Sequence, residues 1–270
     1  MTRTLPSIAA ACCLIALCCG ASQPAQPSAG APSAGPAPSR RLLVVTHTAG
    51  FRHGSIPVAE TTLQEIGEAS GLYETEFCRT ADDVGRLMTR AGLARFDGVF
   101  FANTTGNIGV PDLDAFLGWI AEGHAFLGAH SASDTYHESP AFLEMLGGEF
   151  LRHGSIVEAD VLVDDPAHPA VAHLAPRFRI TDELYRFTRN SRANVQVLLS
   201  LDRNPADGLP GAGEPADLPM AWHRTHGQGR VFYTAFGHRD EVWQDPRFRQ
   251  HLREATRWAL ASVPARVSGR

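Results

Sequence analysis

Short, continuously apolar segments that alternate with helix-like segments are the feature that most constrains the fold of this chain. Arg41–Thr46, Phe96–Ala102 and Ala125–Ala129 have this character, which is typical of strands buried on both faces. A more polar strand is expected at Tyr73–Arg79. Because helix-like segments separate these strands, the alternation predicts an α/β fold with a mostly parallel sheet and helices on both faces.

Capping residues mark the predicted helices. One helix opens near Pro57 and ends at Gly71, and a second starts at Pro111. The last helix begins with Asp245 as its N-cap, followed by Pro246. The second half of the chain adds extended segments, expected at Ser155–Val163, Phe178–Phe187, Val195–Leu201, Met220–Arg224 and Arg230–Phe236.

Residues 1–21 have the pattern of a secretory signal peptide. Arg3 precedes the short apolar run Ile8–Cys19, and small residues follow it. The pattern predicts an exported protein that resides in the periplasm, on the cell surface or outside the cell. Cys18 or Cys19 could carry a lipid, which would be the one expected link to a membrane.

Three segments are too poor in apolar residues to pack into a core. Residues 22–40 are predicted to form a flexible Pro/Ala/Ser-rich linker, and residues 264–270 a disordered tail. The Pro/Gly-rich segment Asp202–Asp217 is a candidate mobile flap. The remaining chain, residues 41–263, is expected to fold as one domain.

Charge and composition exclude several classes of function. All 24 positively charged residues are arginine, so chemistry that needs a lysine, such as a Schiff base or a Walker-type phosphate loop, is excluded. The formal net charge of −5 disfavours nucleic acids and anionic lipid surfaces as partners. Cys78 is the one cysteine outside the N-terminal segment, and its thiol is predicted to be buried and inert. The oligomeric state stays open.

Three histidines, His53, His130 and His238, follow predicted strands. Because ligands of open α/β sheets bind beyond the carboxyl ends of the strands, the three rings are expected to meet at one edge. Such a group suits proton transfer or a divalent metal, although each ring could instead bind the backbone of its own loop. No H-E-x-x-H, H-x-H or C-x-x-C motif supports a metal, so the metal is left open and no other cofactor is predicted. Other histidines are expected at the surface or at strand starts: His124, His168, His173, His226 and His251.

The turn after the fourth strand resembles the tight strand-to-helix turn that presents a nucleophile. Two registers are possible, with either His130 or Ser131 at the exposed position. The second register would give a serine hydrolase. Its nucleophile would be followed along the chain by Asp182 or Glu183 and then by His238. Ser131 could equally serve as a helix cap.

Asp182 and Glu183 are adjacent in an extended segment, so their side chains alternate and only one can face a given site. That carboxylate is either catalytic or the buried partner of an arginine. Aromatic rings match the apolar faces of sugars. The rings expected either to contact a sugar or to belong to the core are Tyr136, Tyr185, Trp222 and Trp243.

Six short motifs occur in one order between Leu42 and Ala259: Gly50-Phe51-Arg52-His53, Gly128-Ala129-His130-x-x-x-Asp134, Gly147-Gly148-x-Phe150-x-x-His153, Asp165-x-x-His168-Pro169, Asp182-Glu183-x-Tyr185, and Gly227-x-Gly229-Arg230-Val231-Phe232-Tyr233-Thr234-x-x-Gly237-His238. With them the chain resembles the ThuA-like (trehalose utilisation) family, whose fold is similar to that of class I glutamine amidotransferases. The resemblance implies a flavodoxin-like core. It also implies a role in carbohydrate metabolism, including the processing of oxidised disaccharides.

The resemblance also implies a set of site residues: His53, His130, Asp134, His153, Glu183 and His238. Of these, His153 is expected to contact the substrate. Where the amidotransferases have a catalytic cysteine, this chain has His130, so glutaminase activity is not expected.

We expect an exported protein that acts on a sugar or glycoside. His130 and His238 would serve as general acid and base, and Asp134 or Glu183 would orient an imidazole. Arg52 and the aromatic rings would hold the sugar. A carbohydrate-binding or scaffold module without catalysis is the alternative, as is the hydrolase that uses a serine.

Overall fold

The computed structural model describes residues 40–188, 190, 192–207 and 217–263. The first half alternates strands and helices: β1 (Arg40–Val45), α1 (Ile56–Ser70), β2 (Tyr73–Cys78), α2 (Ala81–Leu87), α3 (Arg90–Leu93), β3 (Gly98–Ala102), α4 (Leu113–Ala121), β4 (Ala125–Ala129) and α5 (Pro140–Leu146). The second half is richer in strands: β5 (Glu149–His153), β6 (Val157–Val163), β7 (Arg177–Asp182), β8 (Tyr185–Thr188), β9 (Gln196–Leu201), β10 (Pro219–His226), β11 (Gly229–Thr234), α6 (Asp240–Gln244) and α7 (Pro246–Leu260). Short 3₁₀ helices lie at His130–Asp134 and Pro205–Asp207.

Nine strands form one sheet with the order β2-β1-β3-β4-β11-β10-β9-β6-β7. From β2 to β11 the neighbours are parallel, and from β11 to β7 they are antiparallel. α1, α6 and α7 pack together, and α3, α4 and α5 pack in a second group. The predicted α/β fold, with a parallel sheet, flanking helices and extra strands in the second half, is confirmed.

The core follows from the sequence pattern. β3 and β4 are buried along their whole length, as continuously apolar strands should be. α1 buries Ala59, Leu63 and Ile66, which recur at helical spacing. α7 begins as expected, because the Asp245 side chain accepts a hydrogen bond from a backbone N–H in the first turn, where Pro246 needs none.

One predicted extended segment, Phe178–Phe187, consists of two strands in different sheets. β7 ends at Asp182 in the large sheet, whereas β8 begins at Tyr185 and pairs with β5 in a separate two-stranded sheet. The chain leaves the large sheet here because the Asp182 carboxylate accepts hydrogen bonds from backbone N–H groups of the loop after β11. β5, α2, α3 and α5 have no counterpart among the predicted elements, because such short elements show too few apolar repeats to reveal a period.

Two histidines expected at the surface or at a strand start, His168 and His251, are buried. The His168 ring stacks on His223 with centroids 4.6 Å apart, and Trp258 meets both rings edge-on. Nδ1 of His251 donates to the carbonyl of Ala170 at 2.8 Å. Burial lowers the pKa of His168 and of His251 to about 4, so both rings are neutral at pH 7.

The predicted signal peptide (1–21) and tail (264–270) lie outside the described residues. The linker predicted for residues 22–40 extends one residue too far. Arg40 already belongs to β1, and its guanidinium pairs with the carboxylate of Asp97 at 3.2 Å.

Residues 208–216 of the predicted flap also lie outside the described part of the chain. Within the described ranges, none of the helices is long and apolar enough to cross a membrane. Cys78 is a free, buried cysteine, as expected, and burial raises the pKa of its thiol to about 12. This thiol therefore stays protonated and unreactive at neutral pH.

Candidate active site

Loops that follow several strands bring imidazole and carboxylate groups to one edge of the sheet. His53 lies in the loop after β1, His130 directly follows β4, and His238 lies in the loop after β11. The carboxyl ends of these parallel strands share one edge. Glu183 joins them from the break between β7 and β8. We call these four residues the histidine cluster, in which one nitrogen or oxygen from each residue lies within 4.8 Å of the others.

His130 is the centre of the histidine cluster. Its Nε2 lies 3.2 Å from Nε2 of His53, 3.3 Å from Nδ1 of His238 and 3.5 Å from Oε2 of Glu183. The hydroxyl of Tyr185 lies 2.9 Å from the same nitrogen. The three histidines that follow predicted strands therefore meet, as the sheet topology predicts.

His130 also stands at the sharp turn between β4 and the 3₁₀ helix. Its φ of 51° lies in the left-handed region, which costs a non-glycine residue roughly 1–3 kcal/mol. His130, and not Ser131, therefore occupies the strained position of the turn. Nδ1 of His130 lies 2.9 Å from the carbonyl of Ala235, which can only accept. Nδ1 therefore carries a ring proton, and Nε2 is the ring nitrogen that faces the cluster.

The backbone of Gly237 fixes the loop that carries His238. Its carbonyl accepts hydrogen bonds from Ser55 Oγ at 3.2 Å, Asn103 Nδ2 at 2.9 Å and Trp243 Nε1 at 2.7 Å. The φ of Gly237 is 126°, a conformation that side chains other than glycine rarely adopt. These contacts tie the loop after β11 to the loops after β1 and β3.

Asp182 and Glu183 face different partners, as the alternation along an extended segment predicts. The fully buried Asp182 carboxylate accepts hydrogen bonds from the backbone N–H groups of Gly237 at 2.7 Å and Arg239 at 3.2 Å. Burial raises the pKa of Asp182, and the neighbouring His130 and these backbone donors oppose that rise. Asp182 therefore holds the loop in place, and Glu183 contacts the imidazoles.

Electrostatics give the members of the histidine cluster different protonation states. Burial, together with the adjacent imidazoles, lowers the pKa of His53 to about 3, so this ring is neutral. The hydrogen bond to Glu183 raises the pKa of His238. Burial disfavours the ionised Glu183 carboxylate, but His130 and His238 lower its pKa below the usual range, so it is ionised. Opposite shifts in neighbouring groups are typical of acid–base sites.

The histidine cluster opens to solvent on one side. Side-chain exposure rises from 0% at His130 to 10% at Glu183, 25% at His238 and 44% at His153. Nδ1 of His153 lies 3.0 Å from Oε1 of Glu183 and 2.8 Å from the carbonyl of Gly154. A ligand can therefore approach along His153 and His238, with His130 at the base of the site.

The family model described as Trehalose utilisation (ThuA) matches residues 41–259. The chain belongs to the ThuA family. A ThuA-like protein from Bacteroides uniformis has a similar structure, with a TM-score of 0.69, 23% identity, and 87% of this chain and 97% of that chain covered. A ThuA-like protein from Parabacteroides merdae gives a TM-score of 0.67 at 19% identity, covering 85% of this chain and 93% of that chain. A search of the curated proteins gave no match.

Asp134 lies apart from the other residues that the ThuA resemblance implies. Its carboxylate lies 2.6 Å from Nε2 of His137, whose Nδ1 lies 3.0 Å from Glu149. Burial lowers the pKa of His137, but these two carboxylates raise it more, so the net shift is upward. Of the two carboxylates expected to orient an imidazole of the site, Glu183 contacts the histidine cluster, whereas Asp134 contacts His137.

The aromatic residues considered for sugar contact divide between the site and the core. Tyr185 contacts His130, although its ring is also buried. Trp222 and Trp243 are 0% exposed and Tyr136 is 4% exposed, so no ring face is available to a sugar. These three belong to the core, because their apolar rings fill the space between sheet and helices.

The loop after β1 offers a contact that the sequence did not single out. Phe51 is 66% exposed, and its ring meets His53 edge-on with centroids 4.8 Å apart. The sequence feature that could have indicated this contact is the position of Phe51 between Gly50 and Arg52, in a loop that follows a strand. Arg52 itself is exposed, and its guanidinium donates to the carbonyl of Thr46 at 3.1 Å.

Ser131 does not take part in the catalytic triad that its position suggested. Its hydroxyl lies 3.3 Å from Nδ1 of His53, whereas Nδ1 of His238 lies 3.3 Å from Glu183. Asp182 contacts backbone N–H groups. Ser131 therefore contacts His53, whereas His238 contacts Glu183. The predicted triad of Ser131, an acid and His238 is not formed.

Proposed function

We propose that this protein acts on a sugar or glycoside through histidine-based acid–base chemistry, with no thiol nucleophile. The observation that carries the proposal is the convergence of three imidazoles and an ionised carboxylate, His53, His130, His238 and Glu183, beside a solvent-exposed rim. The ThuA family, described by trehalose utilisation, supports a carbohydrate as substrate. Phe51 offers an exposed aromatic face of the kind on which sugars stack.

The proton roles follow from the contacts. Glu183 favours the charged form of His238, so His238 is the general acid that donates a proton to a leaving or carbonyl oxygen. Nε2 of His130 presents a lone pair and is the general base. His153 borders these nitrogens on the exposed side and would contact the substrate, whereas the buried Tyr185 hydroxyl contacts Nε2 of His130.

Replacing His130 by Asn tests the proposal, because Asn tolerates the left-handed backbone at this position. The variant and the parent protein are incubated with mono- and disaccharides, including trehalose and its oxidised forms, and product is measured by chromatography. Loss of a general base lowers turnover by about 10²–10⁴-fold.

The matched control is His226→Gln, because His226 ends β10 at the opposite edge of the sheet. It should retain full turnover, and both variants should show the thermal unfolding of a folded protein. Unchanged turnover in folded His130→Asn would contradict the proposed role. Binding of a sugar in a calorimeter without product would favour a carbohydrate-binding or scaffold module.

A second candidate is a hydrolase that uses Ser131. Its hydroxyl lies 3.3 Å from Nδ1 of the neutral His53, which could accept its proton. A fluorophosphonate probe should label Ser131 if this serine is a nucleophile, and Ser131→Ala should abolish the label. Absence of label on active protein removes this candidate.

We also propose that the protein is exported, on the basis of the signal-like pattern of residues 1–21. Fractionation of cells that express the full chain tests this, with deletion of residues 1–21 as the control. The full chain is expected outside the cytoplasm and the deletion variant within it. Labelling with radioactive palmitate would detect a lipid on Cys18 or Cys19.

A further inference from the structure

We infer that the histidine cluster binds one divalent transition-metal ion through His53, His130, His238 and Glu183. The ion would occupy the site of the proposed function, and its chemical role rests on that proposal. Binding of the ion does not depend on which sugar is the substrate. Three kinds of observation lead to it: the distances between the donor atoms, the hydrogen-bond partners that determine which ring nitrogens carry a proton, and the groups that contact the donors from outside the cluster.

The separations fit a coordination shell. The distances from Nε2 of His130 to donor atoms of the other three residues are 3.2, 3.3 and 3.5 Å, and His238 lies 3.3 Å from Glu183. Ligands that lie about 2.0–2.1 Å from a metal in a tetrahedral site are separated from one another by about 3.3–3.4 Å. The two separations between nitrogen and oxygen, 3.5 Å from His130 to Glu183 and 3.3 Å from His238 to Glu183, are longer than most direct hydrogen bonds.

The hydrogen-bond partners of the imidazoles also favour a metal ion. Nδ1 of His130 donates to the Ala235 carbonyl, which leaves a lone pair on the Nε2 that faces the cluster. Nδ1 of His53 can donate to the Ser131 hydroxyl, which leaves a second lone pair on its Nε2. With these tautomers two lone pairs lie 3.2 Å apart, an arrangement that a cation between them would stabilise.

Charge balance adds to this argument. Glu183 and Asp182 are both buried, and in the described residues the groups nearest to them are imidazoles and backbone N–H groups. The Glu183 carboxylate among the imidazole nitrogens supplies a negatively charged donor for a divalent cation. Burial of uncompensated carboxylates is costly, so a bound cation stabilises this arrangement.

Three of the four donors are held by other groups, as is usual for metal ligands. The Ala235 carbonyl orients His130, and the Ser131 hydroxyl lies against His53. Oε1 of Glu183 contacts His153, which leaves Oε2 for the ion. Three imidazoles and one carboxylate favour Zn²⁺, Co²⁺, Fe²⁺ or Mn²⁺ over Ca²⁺ and Mg²⁺, which prefer oxygen donors.

A bound ion would change the acid–base chemistry, but the reaction would still take place at the histidine cluster. The ion would take the place of the proton that His238 and Glu183 share in its absence, and both residues would then hold the ion. It would supply Lewis acidity, because a metal ion lowers the pKa of water bound to it, and His153 would border such a water on the exposed side of the cluster. A sugar hydroxyl or carbonyl oxygen could bind at the same open position.

The test uses the full chain after treatment with a chelator and dialysis. Co²⁺ and Zn²⁺ are titrated by calorimetry, and the visible absorption of bound Co²⁺ reports nitrogen and oxygen coordination. One ion per chain is expected, with Mg²⁺ at least about 100-fold weaker. Absence of stoichiometric binding of both Co²⁺ and Zn²⁺ would overturn the inference.

Variants locate the ion. Glu183→Gln and His130→Asn should each weaken Co²⁺ binding by at least about 100-fold, and Ser131→Ala, which removes the group behind His53, by about tenfold. The control His226→Gln should bind as the parent does. Equal binding by parent, Glu183→Gln and His130→Asn would place the ion elsewhere and overturn the inference.

The two proposals can fail separately. If the chelated protein converts a sugar and binds no Co²⁺, the proposed function stands and the metal inference is wrong. If Co²⁺ binds at the cluster and no sugar is converted, the metal site stands and the carbohydrate proposal is wrong. If turnover appears only with the ion, the metal site and the carbohydrate substrate stand, and the acid and base roles proposed for His238 and His130 are replaced by their role as ligands.

Discussion

Two groups of buried or half-buried histidines in this chain differ in the direction of their nitrogen atoms. In the histidine cluster, the nitrogens point at one another and at a carboxylate. In the second group, which we call the packed histidines (His168, His223 and His251), the rings contact other rings, and Nδ1 of His168 and of His251 is hydrogen-bonded to the backbone of Ala170. His168 and His223 stack with centroids 4.6 Å apart, and His251 lies against Phe232 and Phe248.

Burial and a lowered pKa do not separate the two groups. The pKa of His53 is lowered to about 3 by burial and adjacent imidazoles, and that of His168 and of His251 is lowered to about 4 chiefly by burial. Nε2 of His168 and Nε2 of His251 have no hydrogen-bond partner among the described residues. What identifies a reactive group is therefore convergence of donor atoms on a shared point together with access from solvent, and not the pKa alone.

The largest effect is expected at a packed histidine and concerns stability. Because the pKa of His251 is lowered in the folded chain, the unfolded chain binds its proton more readily. Its contribution to stability is complete above the unfolded pKa of about 6.5 and is lost as the pH falls toward about 4. Between pH 7 and pH 4.5 the parent should lose about 2–3 kcal/mol more unfolding free energy than His251→Gln.

Urea denaturation at the two pH values measures this difference. Glutamine keeps an N–H donor for the Ala170 carbonyl but does not titrate, so the comparison isolates the proton. The same variant should leave sugar turnover and Co²⁺ binding unchanged. A loss of turnover in folded His251→Gln would break the distinction between the two groups.

The second effect concerns Asp182, which supports the histidine cluster without joining it. In Asp182→Asn, one acceptor oxygen is replaced by an amide that opposes the backbone N–H of Gly237 or Arg239. Loss of a buried hydrogen bond to a charged group lowers the unfolding free energy by about 1–3 kcal/mol. Turnover should fall by about 10–100-fold because His238 shifts.

Thermal unfolding and kinetics measured on one preparation separate the two consequences. Asp182→Glu is the matched variant, since it keeps the charge and should restore part of the stability if the charge matters more than the reach. Full turnover in Asp182→Asn would show that the loop does not need this anchor.

The parallel part of the fold could be predicted because its strands carry their own signal. β3 and β4 are apolar throughout, and the residues that follow them fall at the sheet edge by topology alone. That is why the meeting of His53, His130 and His238 could be predicted from the sequence. The partition of the aromatic rings could not, because an apolar ring has the same local pattern in a core as on a sugar.

Contacts between distant segments set the rest of the site. The pairing of Asp134 with His137 and the contact of Ser131 with His53 depend on which rotamer the packing leaves available. The break at Glu183 depends on an interaction of Asp182 with residues that lie after β11. Local propensity holds no information on such contacts, which arise only when the chain has folded.

The third effect tests whether Tyr185, which is not a member of the histidine cluster, contributes to its chemistry. The Tyr185 hydroxyl lies 2.9 Å from Nε2 of His130. Tyr185→Phe removes this one hydrogen bond and keeps the ring that packs on Phe150. Turnover should fall by about tenfold, which corresponds to about 1.4 kcal/mol, with little change in thermal unfolding. A fall as large as that of His130→Asn would instead make the tyrosine a direct proton donor.

The smallest effect concerns the aromatic neighbours of the two histidine groups. Phe51 is 66% exposed beside His53, whereas Phe248 is 5% exposed beside the packed His251. Phe51→Ala should therefore raise the KM for a sugar by about three- to tenfold, the effect of losing one stacking contact, and leave kcat and thermal unfolding nearly unchanged. Phe248→Leu should do the reverse and lower the unfolding free energy by about 1 kcal/mol without a change in KM. The buried Phe248 ring cannot reach a substrate. If both variants changed KM equally, the change would therefore not report a contact between Phe51 and the sugar.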